Sequence, residues 1–327
     1  MKFERFAAAV LAVTALLGVF VSCKKDDEDE TLPSISGSLY FKAPSYAAPG
    51  TTLSMTPKGA VHPDGGSLGY YWAATGVVTK ADTTRLENDP ESVTGEFSLV
   101  VPDSLYTMKI TCVAFAKGYT NTYAYSYVTV VKDESVTGIE HPDDEKSFTD
   151  ARDGKVYTYV SHDGLDWMNT NLQYASAGRP YTDCEAMTPV FGNLYTWEEA
   201  NVSCPDGWRL PTEDEVKSLC GGSFKSAAGS LMVDAYFNGD RMWDYWPDVN
   251  VTNSTGMNMY PCGYAYYSGT EWGYKGIDDY SVIWTSTAYD DEQMKYLAIY
   301  KSLADLTDGN AHKDSFAVSV RCVREAE

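Results

Sequence analysis

Two domains, an all-β sandwich followed by an α+β domain, are what the 327-residue sequence predicts, and three observations carry the prediction. From residue 36 to 132 short alternating runs recur between turn residues, the pattern of a sandwich of about seven strands. Residues 133–147 are polar, charged and Pro-containing, which reads as a linker. From 148 to 327 the pattern changes: helical spacing at Trp197, Ala200 and Cys204 and a capping box at Thr212 and Glu215 stand among strand-like runs.

In chain order, Lys2 and Arg5 precede an apolar stretch from Phe6 to Val21 that ends in the small residue Ser22, so residues 1–22 read as an export signal. Cys23 follows, then the run Lys24-Lys25-Asp26-Asp27-Glu28-Asp29-Glu30. Phe20-Val21-Ser22-Cys23 resembles the bacterial lipoprotein lipobox, in a relaxed form without the usual Leu three places before the cysteine. That resemblance implies lipid attachment at Cys23, and two or three acyl chains anchor stably where one does not. The acidic run resembles the signal that sends lipoproteins of gut-type Bacteroidetes to the outer face of the outer membrane. The implied location is the outer membrane, lipid-anchored and facing the exterior, with residues 23–35 as the acylated cysteine and a flexible acidic stalk.

The formal net charge of −21 disfavours phosphate backbones, so nucleic acid is not an expected partner, and contact with a membrane is expected through the anchor only. Six cysteines besides Cys23 (Cys112, Cys184, Cys204, Cys220, Cys262 and Cys322) permit disulfides in an exported chain.

Within residues 36–132, Leu53-Ser54-Met55, Tyr70-Tyr71-Trp72, Phe97 to Val101, Met108 to Val113 and Tyr123 to Val130 are the strand-like runs. Trp72 is placed like the core tryptophan of immunoglobulin-like domains, and the stretch resembles the PKD or Ig-like modules next to the stalk of surface lipoproteins. Cys112 is expected to be buried and inert, and spacer is the expected role of the domain.

In the second domain, Asp153-Gly154 reads as a turn feeding a strand, the helix opened by Thr212 carries Val216 and Leu219 inward, Ser281 to Thr287 is strand-like, and Phe316 to Arg324 reads as an alternating final strand. The order Asp153-Gly154 with Tyr157, Trp167-Met168, Asn171-Leu172, Cys204-Pro205-x-Gly207-Trp208-x-Leu210-Pro211-Thr212, Trp284-Thr285-Ser286 and Ser319-Val320-Arg321-Cys322 closely resembles the FISUMP family, the major paralogous domain of Fibrobacter succinogenes, over roughly residues 148 to 325. The layout also resembles a C-type lectin-like domain, which implies a Cys204–Cys322 disulfide. Cys262 is then expected to pair with Cys184 or Cys220.

C-type lectin-like folds place ligand loops between the second helix and the last strands, here about Tyr236 to Tyr280, an interval dense in rings with carboxylates and amides between them. Such rings suit the apolar faces and hydroxyl rims of sugars. Trp167, Trp197, Trp208 and Trp284 are assigned to the core; Trp243, Tyr245, Trp246, Trp272 and Tyr274 are the ligand candidates, with packing and binding both open. No cofactor is expected: the calcium motifs of sugar-binding C-type lectins and the EF-hand loop have no match, and although Asp290-Asp291-Glu292 and Asp308-Gly309-Asn310 could offer oxygens to calcium, acidic turns are usually just solvated. Arg209 to Glu213 and Val320 to Val323 also resemble the formylglycine-generating family, whose copper chemistry needs two closely spaced cysteines that this sequence does not offer. No His-Glu-x-x-His or Gly-x-Ser-x-Gly is present either, so the expectation is a non-enzyme. A surface lipoprotein that recognises extracellular glycan through its C-terminal domain is the expected function. The alternative is an adhesin or fimbria-associated protein that binds a protein partner.

Overall fold

The computed structural model describes residues 32–74, 95–104, 106–243 and 249–326. The export signal, Cys23, Tyr245 and Trp246 lie outside the described residues. Among the described residues the N-terminal domain has eight strands: β1 (Ser36–Tyr40), β2 (Tyr46–Ala47), β3 (Thr52–Met55), β4 (Lys58–Val61), β5 (Gly69–Ala74), β6 (Phe97–Val100), β7 (Thr107–Phe115) and β8 (Thr122–Val130). β2, β8, β7 and β5 form a four-stranded sheet, while β1–β4 and β3–β6 make two-stranded ribbons that share one apolar core with it. Period-two alternation explains the burial: Met108, Ile110 and Cys112 of β7 point inward, as do Leu53 and Met55 of β3. Trp72 stacks on Phe97 with ring centroids 5.1 Å apart, and its indole N–H donates to the Gly95 carbonyl at 3.0 Å. Cys112 is sealed in this core, and burial pushes its thiol up to about 12.

The rest of the chain is also β-rich, with four short α-helices among the described residues. In order these elements are β9 (Val136–Thr137), β10 (Lys146–Thr149), β11 (Val156–His162), β12 (Leu165–Met168), α1 (Thr188–Phe191), α2 (Trp197–Ser203), α3 (Glu213–Leu219) and α4 (Ala228–Leu231). They are followed by β13 (Tyr236–Phe237), β14 (Asp240–Arg241), β15 (Cys262–Tyr267), β16 (Trp272–Ile277), β17 (Tyr280–Ala288), β18 (Gln293–Tyr300), β19 (Thr307–His312), β20 (Phe316–Ala317) and β21 (Val323–Glu325). One sheet runs β10-β11-β12-β21, and a larger one runs β16-β15-β17-β18-β19 with β20 on β15. The box expected at α3 is formed: Glu215 N–H donates to Thr212 Oγ1 at 3.1 Å, and Thr212 N–H to Glu215 Oε2 at 2.7 Å. Thr196 and Glu199 make the same reciprocal pair at α2. Cys204, just past α2, is joined to Cys322 across 118 positions, tying the helix to the end of the chain. Trp167, Trp208 and Trp284 are buried, whereas Trp197 is half-buried with its indole N–H on the Thr285 carbonyl at 2.9 Å.

The final segment departs from the expected alternating strand. Every residue from Ala317 to Val323 is buried, and the run is cut into β20, single bridges and β21. Val318 pairs with Tyr195, Ser319 with Ile283 and Val323 with Arg209, so the segment threads between three neighbours and keeps no solvent face.

Residues 133–147, read as a linker, are built into the fold. β9 pairs antiparallel with β13. Asn238 donates its backbone N–H to the Ser135 carbonyl at 2.8 Å and its side-chain amide to the Val130 carbonyl at 2.9 Å. Glu140 accepts from Asn253 Nδ2 at 2.9 Å, and its carbonyl accepts from Asn258 Nδ2 at 2.7 Å. Val131 and Tyr46 of the first domain pack in the same cluster as Phe191 and Leu194 of the second.

Candidate functional site

Trp243 is a correction to the expected ligand set. It is 0% exposed, and its indole N–H donates to the Met259 carbonyl at 3.1 Å. It packs in the cluster of Leu231, Met232, Val249 and Met257, where short helices and loops leave a volume that one large ring fills. Tyr245 and Trp246 lie outside the described residues. Trp272 and Tyr274 remain, half-buried on the edge strand β16 and two positions apart, hence on one face.

That face meets the loop before α1. Arg179 is held by a two-way backbone bridge with Leu194, at 2.9 and 2.8 Å, and its guanidinium lies 3.8 Å from the centre of the Trp272 ring. Arg179 Nη2 donates to Glu199 Oε1 at 2.8 Å, so the carboxylate that closes the α2 box also orients this cation. Tyr267, opposite Trp272 in the β15–β16 register, adds a second ring at 5.4 Å. Tyr181 meets Tyr274 edge-on at 5.4 Å, and the Tyr274 hydroxyl donates to the exposed Asp183 carboxylate.

The loop is strained where it meets these rings. Thr182 and Asp183 are successive non-glycine residues at φ 56° and 55°, a conformation costing on the order of 1 kcal/mol or more per residue. Arg179 Nη1 and the Thr182 hydroxyl are buried without a hydrogen-bond partner in the same turn. Burial first, then the bond to Asp183, raise the Tyr274 phenol well above its ordinary value, so it stays a protonated donor at neutral pH. The result is a shelf of three partly open rings, with Arg179 lying over the Trp272 ring and Asp183 bonded to the Tyr274 hydroxyl, able to meet an apolar ring face and hydrogen-bond its rim.

The remaining cysteines do not form the expected second pair. The Cys262 thiol lies 2.9 Å from Ser319 Oγ in a site where burial raises it, the Cys184 thiol contacts the Tyr46 carbonyl at 3.5 Å, and Cys220 is unpaired with its thiol pushed up to about 11 by burial. Among the described residues no group of three or more His, Cys, Asp or Glu is placed to hold a metal ion. An open cleft of about 610 Å³ lies at the domain junction, between Pro49, Asp103, Lys132 and Ala186 and away from the β16 rings.

Trp272 and Tyr274 are the expected ligand candidates that lie together on β16; Arg179, Tyr181, Asp183 and Tyr267, their neighbours in the fold, are not among the expected candidates. Pro180 signals extended backbone at Arg179, but contact between Asp183 and Tyr274, 91 positions apart, has no local signature. Residues 160–324, from within β11 to within β21, match the family model described as Fibrobacter succinogenes major domain. No curated protein matches the chain.

Proposed function

The chain belongs to the Fibrobacter succinogenes major domain family, and on that premise we propose that it is a surface lipoprotein whose C-terminal domain recognises an extracellular glycan. In this reading Cys23 carries the acyl anchor in the outer membrane, the N-terminal domain is an Ig-like spacer, and the C-terminal domain is a non-enzymatic module of C-type lectin-like architecture. The observation that carries it is the shelf on β16. Trp272, Tyr267 and Tyr274 are partly open rings beside a strained, incompletely satisfied turn, from which Arg179 lies over the Trp272 ring and Asp183 accepts from the Tyr274 hydroxyl. Rings of this kind give sugar contact area with little conformational loss, while carboxylate and guanidinium supply the directional bonds. The disulfide and the two capping boxes favour a rigid scaffold beneath the shelf.

A glycan array with the chain from residue 33 onward, run beside a Trp272→Ala/Tyr267→Ala variant that melts like the parent, tests the reading. Selective binding lost in the variant supports it. Absence of binding together with capture of a purified surface protein on the same shelf replaces it with the adhesin reading.

A further inference from the structure

A second open row of rings lies in the N-terminal domain. β8 alternates along its length, so that Val128 and Val130 enter the core while Tyr123, Tyr125 and Tyr127 project outward, 68%, 53% and 55% exposed. The register of the sheet sets Val113 and Tyr71 beside Tyr123, and the Lys109 ammonium lies 4.4 Å from the centre of the Tyr125 ring. From Tyr123 to Tyr127 the row covers about 13 Å of strand. Three large rings open to water on one face of a sheet, while its other face is packed, mark a contact surface.

Where the chain reaches the domain indicates what lies against this face. Thr120, in the turn just before the row, donates its backbone N–H to the Pro33 carbonyl at 2.9 Å and its hydroxyl to the Leu32 carbonyl at 3.0 Å. Leu32 is itself exposed, and it stands nine residues beyond Cys23. Nine residues reach at most about 30 Å in any conformation. On the lipoprotein reading proposed above, on which this inference rests, Leu32 and the turn at Thr120 bonded to it lie within about that distance of the acyl chains, and the row begins three residues farther on, about 10 Å along the chain.

Charge favours the same occupant. Residues 32–131 carry six Lys or Arg against seven Asp or Glu, whereas residues 132–327 carry 15 against 33. An anionic lipid surface repels the second domain strongly and the first hardly at all. Tyrosine also suits the boundary itself, with an apolar body for the acyl side and a hydroxyl for the wet side. We infer that Tyr123, Tyr125 and Tyr127 rest on the lipid headgroup boundary of the membrane that holds the chain.

Hydroxyl-radical footprinting read by mass spectrometry tests this without a substitution. The chain from Lys24 onward, with a hexahistidine tag in place of the preceding residues, is labelled free and tethered to phosphatidylcholine vesicles containing nickel-chelating lipid. The expected result is a severalfold drop in labelling at Tyr123, Tyr125 and Tyr127 on vesicles, with the exposed Tyr267 and Tyr289 unchanged. Equal labelling of the row in both states overturns the inference. So does protection that grows with protein concentration in the free chain, which assigns the face to a second copy, or protection that appears only on adding oligosaccharide. Because the tag supplies the tether, the footprint does not depend on Cys23. The lipoprotein reading is judged separately, by the mass of the N-terminal peptide from membranes.

Discussion

Arg321 and Asn171 meet across 150 positions of sequence, the guanidinium Nε donating to Asn171 Oδ1 at 2.6 Å in a site closed to water. The remaining donors of Arg321 reach the carbonyls of Met257 at 3.0 Å, Asn258 at 3.3 Å and Met168 at 3.4 Å. Among the described residues no carboxylate is paired with it, and burial pushes the guanidinium down to about 10. One side chain thus ties the strand end after β12, the long segment before β15 and the last segment of the domain. Asn171 closes the link on its other side by donating to the Phe191 carbonyl at 2.8 Å.

Replacing this arginine leaves several buried acceptors unsatisfied at once. Arg321→Met keeps an unbranched apolar stem but removes every donor, and is expected to cost about 3 kcal/mol, the desolvation of the stranded carbonyls outweighing relief of the buried charge. Arg321→Lys cannot reproduce the fork and should lose nearly as much. Urea unfolding measures both. A methionine variant as stable as the parent would show that the network does not hold the segment in place.

The Cys204–Cys322 bond closes a separation of 118 residues. In the chain-entropy account such a loop is worth about 4–5 kcal/mol, so the Cys204→Ser/Cys322→Ser chain should unfold its C-terminal domain at clearly lower urea. The N-terminal domain, whose one cysteine Cys112 is free, should keep its own transition. Reductant should shift the parent and leave the variant where it is.

Glu215 predicts an acid-sensitive term. The bidentate bond from Arg209, at 2.7 and 2.9 Å, and then the Thr212 backbone N–H hold its carboxyl below the usual range, against an opposing effect of burial. A carboxyl depressed in the folded state contributes stability above its unfolded value of about 4.3 and loses it as pH falls through the folded value. Glu215→Gln should therefore melt lower than the parent at neutral pH, with the two curves converging at strongly acidic pH. Parallel curves across that window would remove Glu215 from the acid response.

What could be read beforehand was what depends on neighbours close in the chain. Met108, Ile110 and Cys112 announce a half-buried strand by alternation, and Thr212 with Glu215 announces a helix start, because both signals are complete within a few residues. The end of the chain misled for the opposite reason. Ala317 to Val323 alternates in sequence like a strand with a wet face, yet three distant partners cover it on all sides, and nothing local reports them. The ring-rich interval was legible as composition only: Trp243 and Trp272 look alike in sequence, and the difference between core and shelf comes from which carbonyl or cation the fold brings to each.

Those two tryptophans should separate cleanly on substitution. Trp243→Ala empties a sealed site and removes one of the two hydrogen bonds that the Met259 carbonyl accepts, the Val233 N–H remaining at 3.0 Å, for a loss of about 3–5 kcal/mol. Trp272→Ala removes a half-exposed ring and its stacking on Arg179, worth about 1 kcal/mol, and should leave the melting curve nearly unmoved. Thermal unfolding of both chains is the check. A large loss at Trp272 would make that ring a structural element and weaken the shelf as a ligand site.

Gly138 sits where the segment between the domains turns against β13. Its φ is 84°, and a Cβ at this position would lie 2.7 Å from the Asp234 carbonyl oxygen, so Gly138→Ala meets both backbone strain and a clash with main chain. The variant is expected to lose about 2 kcal/mol, mostly by loosening the β9–β13 pair while each domain's own core stays intact. Limited proteolysis reads this directly, through faster cleavage within residues 132–147 at a temperature where both domains remain folded. Cleavage at the parent rate, with a lowered melting point of the whole C-terminal domain, would mean that the segment is part of that domain's folding unit and not a separable strap.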